Sequence, residues 1–337
     1  MSDANALPPQ AMILQMLMGP WVAQALGAVA RLGVADHLDA GPKTAAELAV
    51  LVNANAAALG RTLRALSTVG VFAPAAGEGW QHTPLSQCLA TDAPGSMRFM
   101  AQAETDRVHW ASWERFTDCV RSGQAQAEAG LGCAPWTYYE NHPEDGAAFS
   151  RAMANVSSMA IEPVLSAYDF SQAAVIADIG GAYGALLVAV LQANPAARGI
   201  LFDLPHIVEG AGGMVAPVQE RVERVGGNFL EDTLPAADLY LLKHILHDWD
   251  DASSVRILTG VRAAMNPGAR VAVVEMVVPQ PVGPGPAAWM DLNMMVILNG
   301  MERTEAEYAA LFERAGLKLT RAVPTPSPYT LLEAEAV

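Results

Sequence analysis

The run Leu241-Leu-Lys243-His244-Ile-Leu-His247-Asp248-Trp249-Asp250-Asp251 places a histidine a few residues beyond an apolar stretch that reads as a strand. A histidine at the ligand edge of a sheet titrates near neutral pH and can take a proton from a weakly acidic group. Two carboxylates are available to hold its ring in one tautomer. Glu275 ends the next predicted strand, and Glu302 sits in Asn299-Gly-Met-Glu302-Arg303-Thr304. Either one can stabilise an imidazolium as the third member of a catalytic triad does. The plain alternative for His247 is a structural histidine, and His244, read as inside the strand, is assigned to packing.

A second stretch, Val175-Ile-Ala-Asp178-Ile-Gly180-Gly181-Ala-Tyr-Gly184, reads as a short buried strand, a glycine-rich turn and a helix from about Ala185. Glycine is needed where a turn takes backbone conformations closed to other residues and where a ligand approaches the bare main chain. The dinucleotide fingerprint G-x-G-x-x-G fails, because Ala182 and Ala185 stand at its second and third glycines. Asp178 before the turn repels a pyrophosphate and suits a ligand with a cationic group. S-adenosylmethionine, with its ammonium and sulfonium, is such a ligand. About 25 residues on, Asp203 ends a second strand, where a carboxylate accepts both hydroxyls of a ribose. Leu204-Pro205 behind it is also a helix-start signal, so a helix-capping role for Asp203 stays open.

The elements that position these residues alternate between strand and helix. Strands are predicted at 175–178, 199–202, within 221–229, and at 238–242, 270–274, 317–323 and 329–334, with a crossover helix at 253–265. This is a doubly wound α/β sheet, whose ligands bind beyond the carboxyl ends of its strands. The N-terminal part reads differently. Ile13, Leu14, Leu17, Met18, Trp21, Val22, Leu26 and Val29 recur three and four apart, with Pro20 between two helices. Thr44-Ala-Ala-Glu47 is a capping box, 57–69 a helix with Leu59, Leu63 and Leu66 inward, and 71–83 a small hairpin turning at Gly77-Glu-Gly79. Short helices and a hairpin make a winged-helix pattern, and helices so free of charge imply burial against a second copy. We divide the chain into a winged-helix-like dimerisation domain, 1–95, and a ligand-binding domain, 96–337. Within the latter, the helical, aromatic-rich segment 96–168 is a substrate lid.

Composition narrows the partners. The 337 residues are 52% hydrophobic and 16% charged, which supplies a large core. A net charge of −15 opposes binding to a phosphate backbone, although winged helices often bind DNA. Cys88, Cys119 and Cys133 form no C-x-x-C pair, so neither structural zinc nor a disulfide framework is expected, and the chain is placed in the cytoplasm. The uncharged stretch 4–30 raises the question of a membrane span. Gln10, Gln15, Gln24 and Gly19-Pro20 interrupt it, and Asp3 stands where a signal peptide wants positive charge.

Taken in order, Leu32-Gly-Val-Ala-Asp36, Thr-Ala-Ala-Glu-Leu48, Asp178-Ile-Gly-Gly-x-x-Gly, Gly199-Ile-Leu-Phe-Asp-Leu-Pro205, Leu-Lys-x-Ile-Leu-His247-Asp-Trp-x-Asp, Asp291-Leu-x-Met-Met and Glu302-Arg-Thr resemble the S-adenosylmethionine-dependent small-molecule O-methyltransferases of the plant caffeate and bacterial polyketide or phenazine type. The resemblance implies a Rossmann-like class I methyltransferase sheet behind the winged-helix module. It puts Asp178, Gly180, Gly181, Asp203, Leu204, Asn228, Phe229, Lys243 and Trp249 on S-adenosylmethionine. Asn228 meets the adenine amino group, Phe229 and Trp249 pack near the ring, and Lys243 pairs with the cofactor carboxylate or a group near it. His247 becomes the general base, bracketed by Glu275 and Glu302. Met153, Asp248 and Met294 fall on the substrate, an aromatic or polycyclic hydroxyl compound of secondary metabolism, and the assembly is a homodimer through its N-terminal helices. Ala182 replaces a usual glycine and Asn228 a usual aspartate, which predicts altered cofactor binding. No histidine lies between Asp291 and Arg303, which opposes the metal-holding variant. The rivals are methylation of carbon or nitrogen, cofactor-assisted decarboxylation or hydroxylation, and a non-catalytic winged-helix regulator.

Overall fold

The computed structural model describes residues 7–337, so the expectation resting on Asp3 lies outside it. The chain forms two compact units. One comprises the chain up to Ala111 together with Ala134–Val156, and the other comprises Ser112–Cys133 and Ser157–Val337. The segment 96–168 is thereby shared between them.

The first unit opens with helices Pro9–Leu17 and Gly19–Leu32. Pro20 sits in the first turn of the latter, where its missing N–H has no helical partner to lose. Thr44 and Glu47 close the capping box that opens the helix Ala45–Leu51. The helix Ala56–Ser67 buries Leu59, Leu63 and Leu66. Strands β1 (Lys43–Thr44), β2 (Phe72–Ala75) and β3 (Gly79–His82) pair antiparallel in the order β1-β3-β2. Val29, Val34, Leu48, Leu63 and Phe72 share one core, which makes this the winged-helix module.

The second unit is a seven-stranded sheet: β4 (Val175–Ile179), β5 (Arg198–Asp203), β6 (Val222–Gly226), β7 (Ala237–Lys243), β8 (Met265–Met276), β9 (Leu317–Pro324) and β10 (Tyr329–Ala336). Their order is β6-β5-β4-β7-β8-β10-β9, and β10 alone runs against its neighbours. The central strands are apolar on both faces because each face is covered. One face packs Leu187, Leu191, Val208 and Leu241, and the other packs Tyr240, Leu258, Val273 and Phe312. The chain runs outward in opposite directions from β4 and β7, so the crevice of the sheet opens beyond their carboxyl ends. Asp178, the glycine turn, Lys243 and His247 all belong to that edge. His244 does not lie inside a strand. It follows the end of β7 with φ +54°, and its N–H still bonds the Val274 carbonyl.

Candidate active site

β4 carries Asp178 under the turn that follows it. The side chain is buried, and a Cβ on Gly181 would lie 2.6 Å from its carboxyl carbon, so only glycine lets the main chain pass over it. A Cβ on Gly180 would strike Ile245 at 2.4 Å and come within 3.5 Å of Phe229. Gly180 and Gly184 have positive φ, and so does Ala182, at +51°. The turn is pinned by Asp203, whose Oδ2 accepts the Ala182 N–H (2.8 Å) and whose Oδ1 accepts the Leu204 N–H (2.7 Å). Asp203 caps no helix, since Leu204 is the residue before the helix Pro205–Gly210. Burial pushes Asp178 up to about 7, with Lys243 pulling it down and Asp203 adding to the rise. Burial in turn lowers Lys243, against the attraction of Asp178 and Glu275.

Beside the turn, Phe229 and Trp249 meet edge to face with ring centroids 5.9 Å apart, forming an apolar, right-angled wall. Asn228 turns its Oδ1 to the Leu230 N–H (3.0 Å), and its own N–H is taken by Asp232 (2.7 Å). The amide oxygen keeps one lone pair free. These features fit S-adenosylmethionine: an uncovered main chain at Gly180 and Gly181, a carboxylate beneath it, a ribose-type acid and an aromatic wall.

The chemistry is concentrated beyond β7. His247 lies in a short 3-10 turn, Leu246–Asp248, and its Nδ1 bonds Glu302 Oε1 at 2.8 Å. Its Nε2 stands 3.4 Å from Asp248 Oδ1. Of the two carboxylates predicted to hold the ring, Glu302 does so directly. Glu275, fully buried at the end of β8, instead accepts the Ile245 and Leu246 N–H groups (3.1 and 2.9 Å) and so fixes the loop that carries the ring. Burial alone would lower the His247 pKa; Glu275, Glu302 and Asp248 outweigh it and raise the ring to about 9. Burial raises Glu275 to about 7, with His247 only partly opposing the rise. The second oxygens of Glu275 and Glu302 are buried without a partner. Donor atoms of His247, Glu275 and Glu302 come within 4.8 Å of one another, a spacing that by itself would also admit a small cation.

Met294 lies in the helix Ala287–Ile297 of this same unit, next to Asn293, which accepts the Trp113 indole N–H at 2.9 Å. Met153 lies in the helix Pro143–Ala167, within the part that belongs to the first unit. The sequence reading gave no role to Arg303, Asp291 or Gly300. Asp291 Oδ1 accepts the Glu302 N–H (3.0 Å), and a Cβ on Gly300 would fall 2.1 Å from the His247 carbonyl. An arginine directly beside a candidate catalytic carboxylate was the available signal.

Residues 113–318 match the O-methyltransferase domain family, and residues 14–92 match the O-methyltransferase dimerisation domain. A phenazine O-methyltransferase of Lysobacter antibioticus is 38% identical over 99% of this chain and 98% of its own. The chain belongs to the S-adenosylmethionine-dependent O-methyltransferase family. Its fold is that of a class I methyltransferase: human N-acetylserotonin methyltransferase, solved in complex with SAM, superposes with a TM-score of 0.90 at 28% identity, covering 99% of both chains. A phenazine-1-carboxylate N-methyltransferase of Pseudomonas aeruginosa, 30% identical over 96% of each chain, is also among the relatives. S-adenosylmethionine is therefore the cofactor, and methyl transfer the reaction.

Proposed function

We propose that this enzyme methylates a hydroxyl on an aromatic or polycyclic small molecule of secondary metabolism, with His247 as the general base. The observation that carries the reading is the His247–Glu302 pair at 2.8 Å, held at the ligand edge of the sheet. When bound, S-adenosylmethionine supplies an electrophilic methyl group. A phenol has a pKa of roughly 10 and is a poor nucleophile at neutral pH. His247 Nε2 takes its proton, Glu302 stabilises the resulting imidazolium through Nδ1, and Glu275 keeps the loop in place. Asp248, beside Nε2, and the thioethers of Met153 and Met294 would orient the acceptor. Gly180 and Gly181 would lie under the methionine part of the cofactor, with the buried Asp178 carboxyl beneath. Asp203 and Leu204 would face the ribose, Asn228, Phe229 and Trp249 the adenine, and Lys243 the carboxylate. Alignment supplies much of the rate in a displacement of this kind.

The working assembly is a homodimer formed through the N-terminal helices, and its setting is the cytoplasm. The domain division places the winged-helix dimerisation module in residues 1–95 and the methyltransferase in 96–337, with 96–168 shaping the substrate pocket. An N-methyltransferase among the relatives keeps transfer to nitrogen as the second reading.

A screen of phenols and hydroxylated polycycles with S-adenosylmethionine, read by mass spectrometry and NMR, tests both. A product heavier by one CH2 unit with its new methyl on oxygen supports the first reading; a methyl on nitrogen or carbon overturns it. His247→Ala should retain S-adenosylhomocysteine binding while losing turnover by about 10²-fold or more. Undiminished turnover in that variant removes the general-base role.

A further inference from the structure

Three consecutive residues, Met301, Glu302 and Arg303, each bond to the loop that carries His247. The Met301 N–H donates to the His247 carbonyl at 2.9 Å, and Glu302 receives the ring. Arg303 does the most. Its side chain is 1% exposed, the largest among the fully buried side chains of the described residues. Nη1 donates to the Leu246 carbonyl (3.0 Å), Nη2 to the Trp249 carbonyl (2.8 Å), and Nε and Nη2 both reach Asp251 Oδ1 (3.1 and 2.9 Å). Its guanidinium lies over the Tyr308 ring at 6.0 Å. The two carbonyls it grips belong to the residues flanking His247 and Asp248, and one of them, Trp249, also forms the aromatic wall with Phe229. Buried charge is costly unless every donor is used, so a surface loop held only for stability would not require it.

We propose that Arg303 is a positioning residue that sets His247 against Glu302 and ties that pair to the Trp249 side of the cofactor pocket. A planar fork of five donors can span both carbonyls at once; an ammonium cannot. Arg303 touches no reacting atom. It acts through the loop, and its consequence is that the base and the adenine wall move together. The proposal rests on His247 being the base, which His247→Ala tests separately.

The experiment uses the full-length enzyme and needs no acceptor. His247 is titrated by NMR in histidine-labelled protein, its signal assigned with the His247→Asn variant, and S-adenosylhomocysteine binding is measured by calorimetry. The charged and titratable groups facing the ring are Glu275 from β8, Glu302 and Asp248, with His244 at 5.2 Å between ring centroids. In Arg303→Lys these remain, so a changed midpoint reports geometry. The His247 midpoint should fall by about one pH unit as the ring loosens from Glu302, and S-adenosylhomocysteine should bind about threefold to tenfold more weakly. Both values unchanged, or a loss of thermal stability alone, would overturn the proposal. Asp251→Ala provides the second variant if Arg303→Lys fails to fold. Asp251 is half exposed, and truncating it removes the oxygen that Nε and Nη2 share, so the same two shifts should appear in smaller measure, and their absence overturns the proposal equally.

Discussion

At the scale of single residues, the site is a balance between burial and charge around one imidazole. His247 is raised to about 9, so its resting ring carries a proton at neutral pH, and the form able to accept one grows as pH rises. Activity limited by this step should therefore climb with pH through that value. In Glu302→Gln the ring loses an anion but keeps a hydrogen-bond acceptor. Its pKa falls, the rising limb of the kcat profile moves to lower pH, and the plateau drops about 10-fold to 100-fold, the worth of a charge-assisted bond. A limb that stays in place would assign the raised ring to some other group. The departure at Ala182 has an equally local consequence. Its φ of +51° lies in the left-handed region, where a Cβ costs roughly 1–2 kcal/mol. Part of that gain is lost because glycine also loosens the unfolded chain. Ala182→Gly should thus stabilise the protein by about 0.5–1 kcal/mol in urea unfolding, with the bond to Asp203 intact; destabilisation would refute the strain.

At the scale of elements, the positions of strands and helices were legible because continuous apolar runs and period-3.6 patterns are local, and the capping box at Thr44 and Glu47 formed as read. What was not legible is long range. Nothing local to Glu275 and Glu302 says which one meets the ring, because the answer depends on the order of β7 and β8 and on the loop after the helix Ala287–Ile297. His244 directly follows the end of β7, and histidine signals only weakly the left-handed φ it adopts there. The same holds for a network within the first unit. Asp106 caps the start of the helix Arg107–Glu114 through the His109 N–H (3.0 Å), meets the His109 ring at 3.3 Å, and accepts the Tyr139 hydroxyl at 2.9 Å. Glu104 stands 3.5 Å from the other ring nitrogen. Burial disfavours the charged ring, yet Asp106 and Glu104 raise it above 6.5. A histidine with a raised folded pKa contributes stability that is fully present below the unfolded value and is lost as pH rises through the folded one. The melting temperature of wild type minus that of His109→Asn should accordingly shrink on going from below pH 6.5 to beyond the raised value. A difference that is flat in pH would show that the ring is held neutral.

At the scale of the whole molecule, the N-terminal helices pose the remaining physical problem. Pro9–Leu32 spans 24 residues and includes an 18-residue window of mean hydropathy 1.4, only 11% of it buried, which by length and composition is enough to cross a membrane. Leu14, Leu17 and Trp21 are 59%, 65% and 68% exposed in the single chain. Such a surface must be covered, by lipid or by protein. The dimerisation-domain match begins at residue 14, inside this stretch, and favours a second copy of the chain. The proposed interface is isologous, so each substitution acts twice. Replacing Trp21 by arginine removes a burial worth about 1.5–3 kcal/mol per copy, hence about 3–6 kcal/mol per dimer. The dimer dissociation constant should rise by roughly 10²-fold to 10⁴-fold, a change that sedimentation velocity across a dilution series would resolve. The methyltransferase unit has its own sheet and two core layers, so S-adenosylhomocysteine binding should survive in the resulting monomer. A Trp21→Arg variant that remains dimeric, or a wild type that floats with lipid vesicles, would show that this face is covered by something other than its own copy.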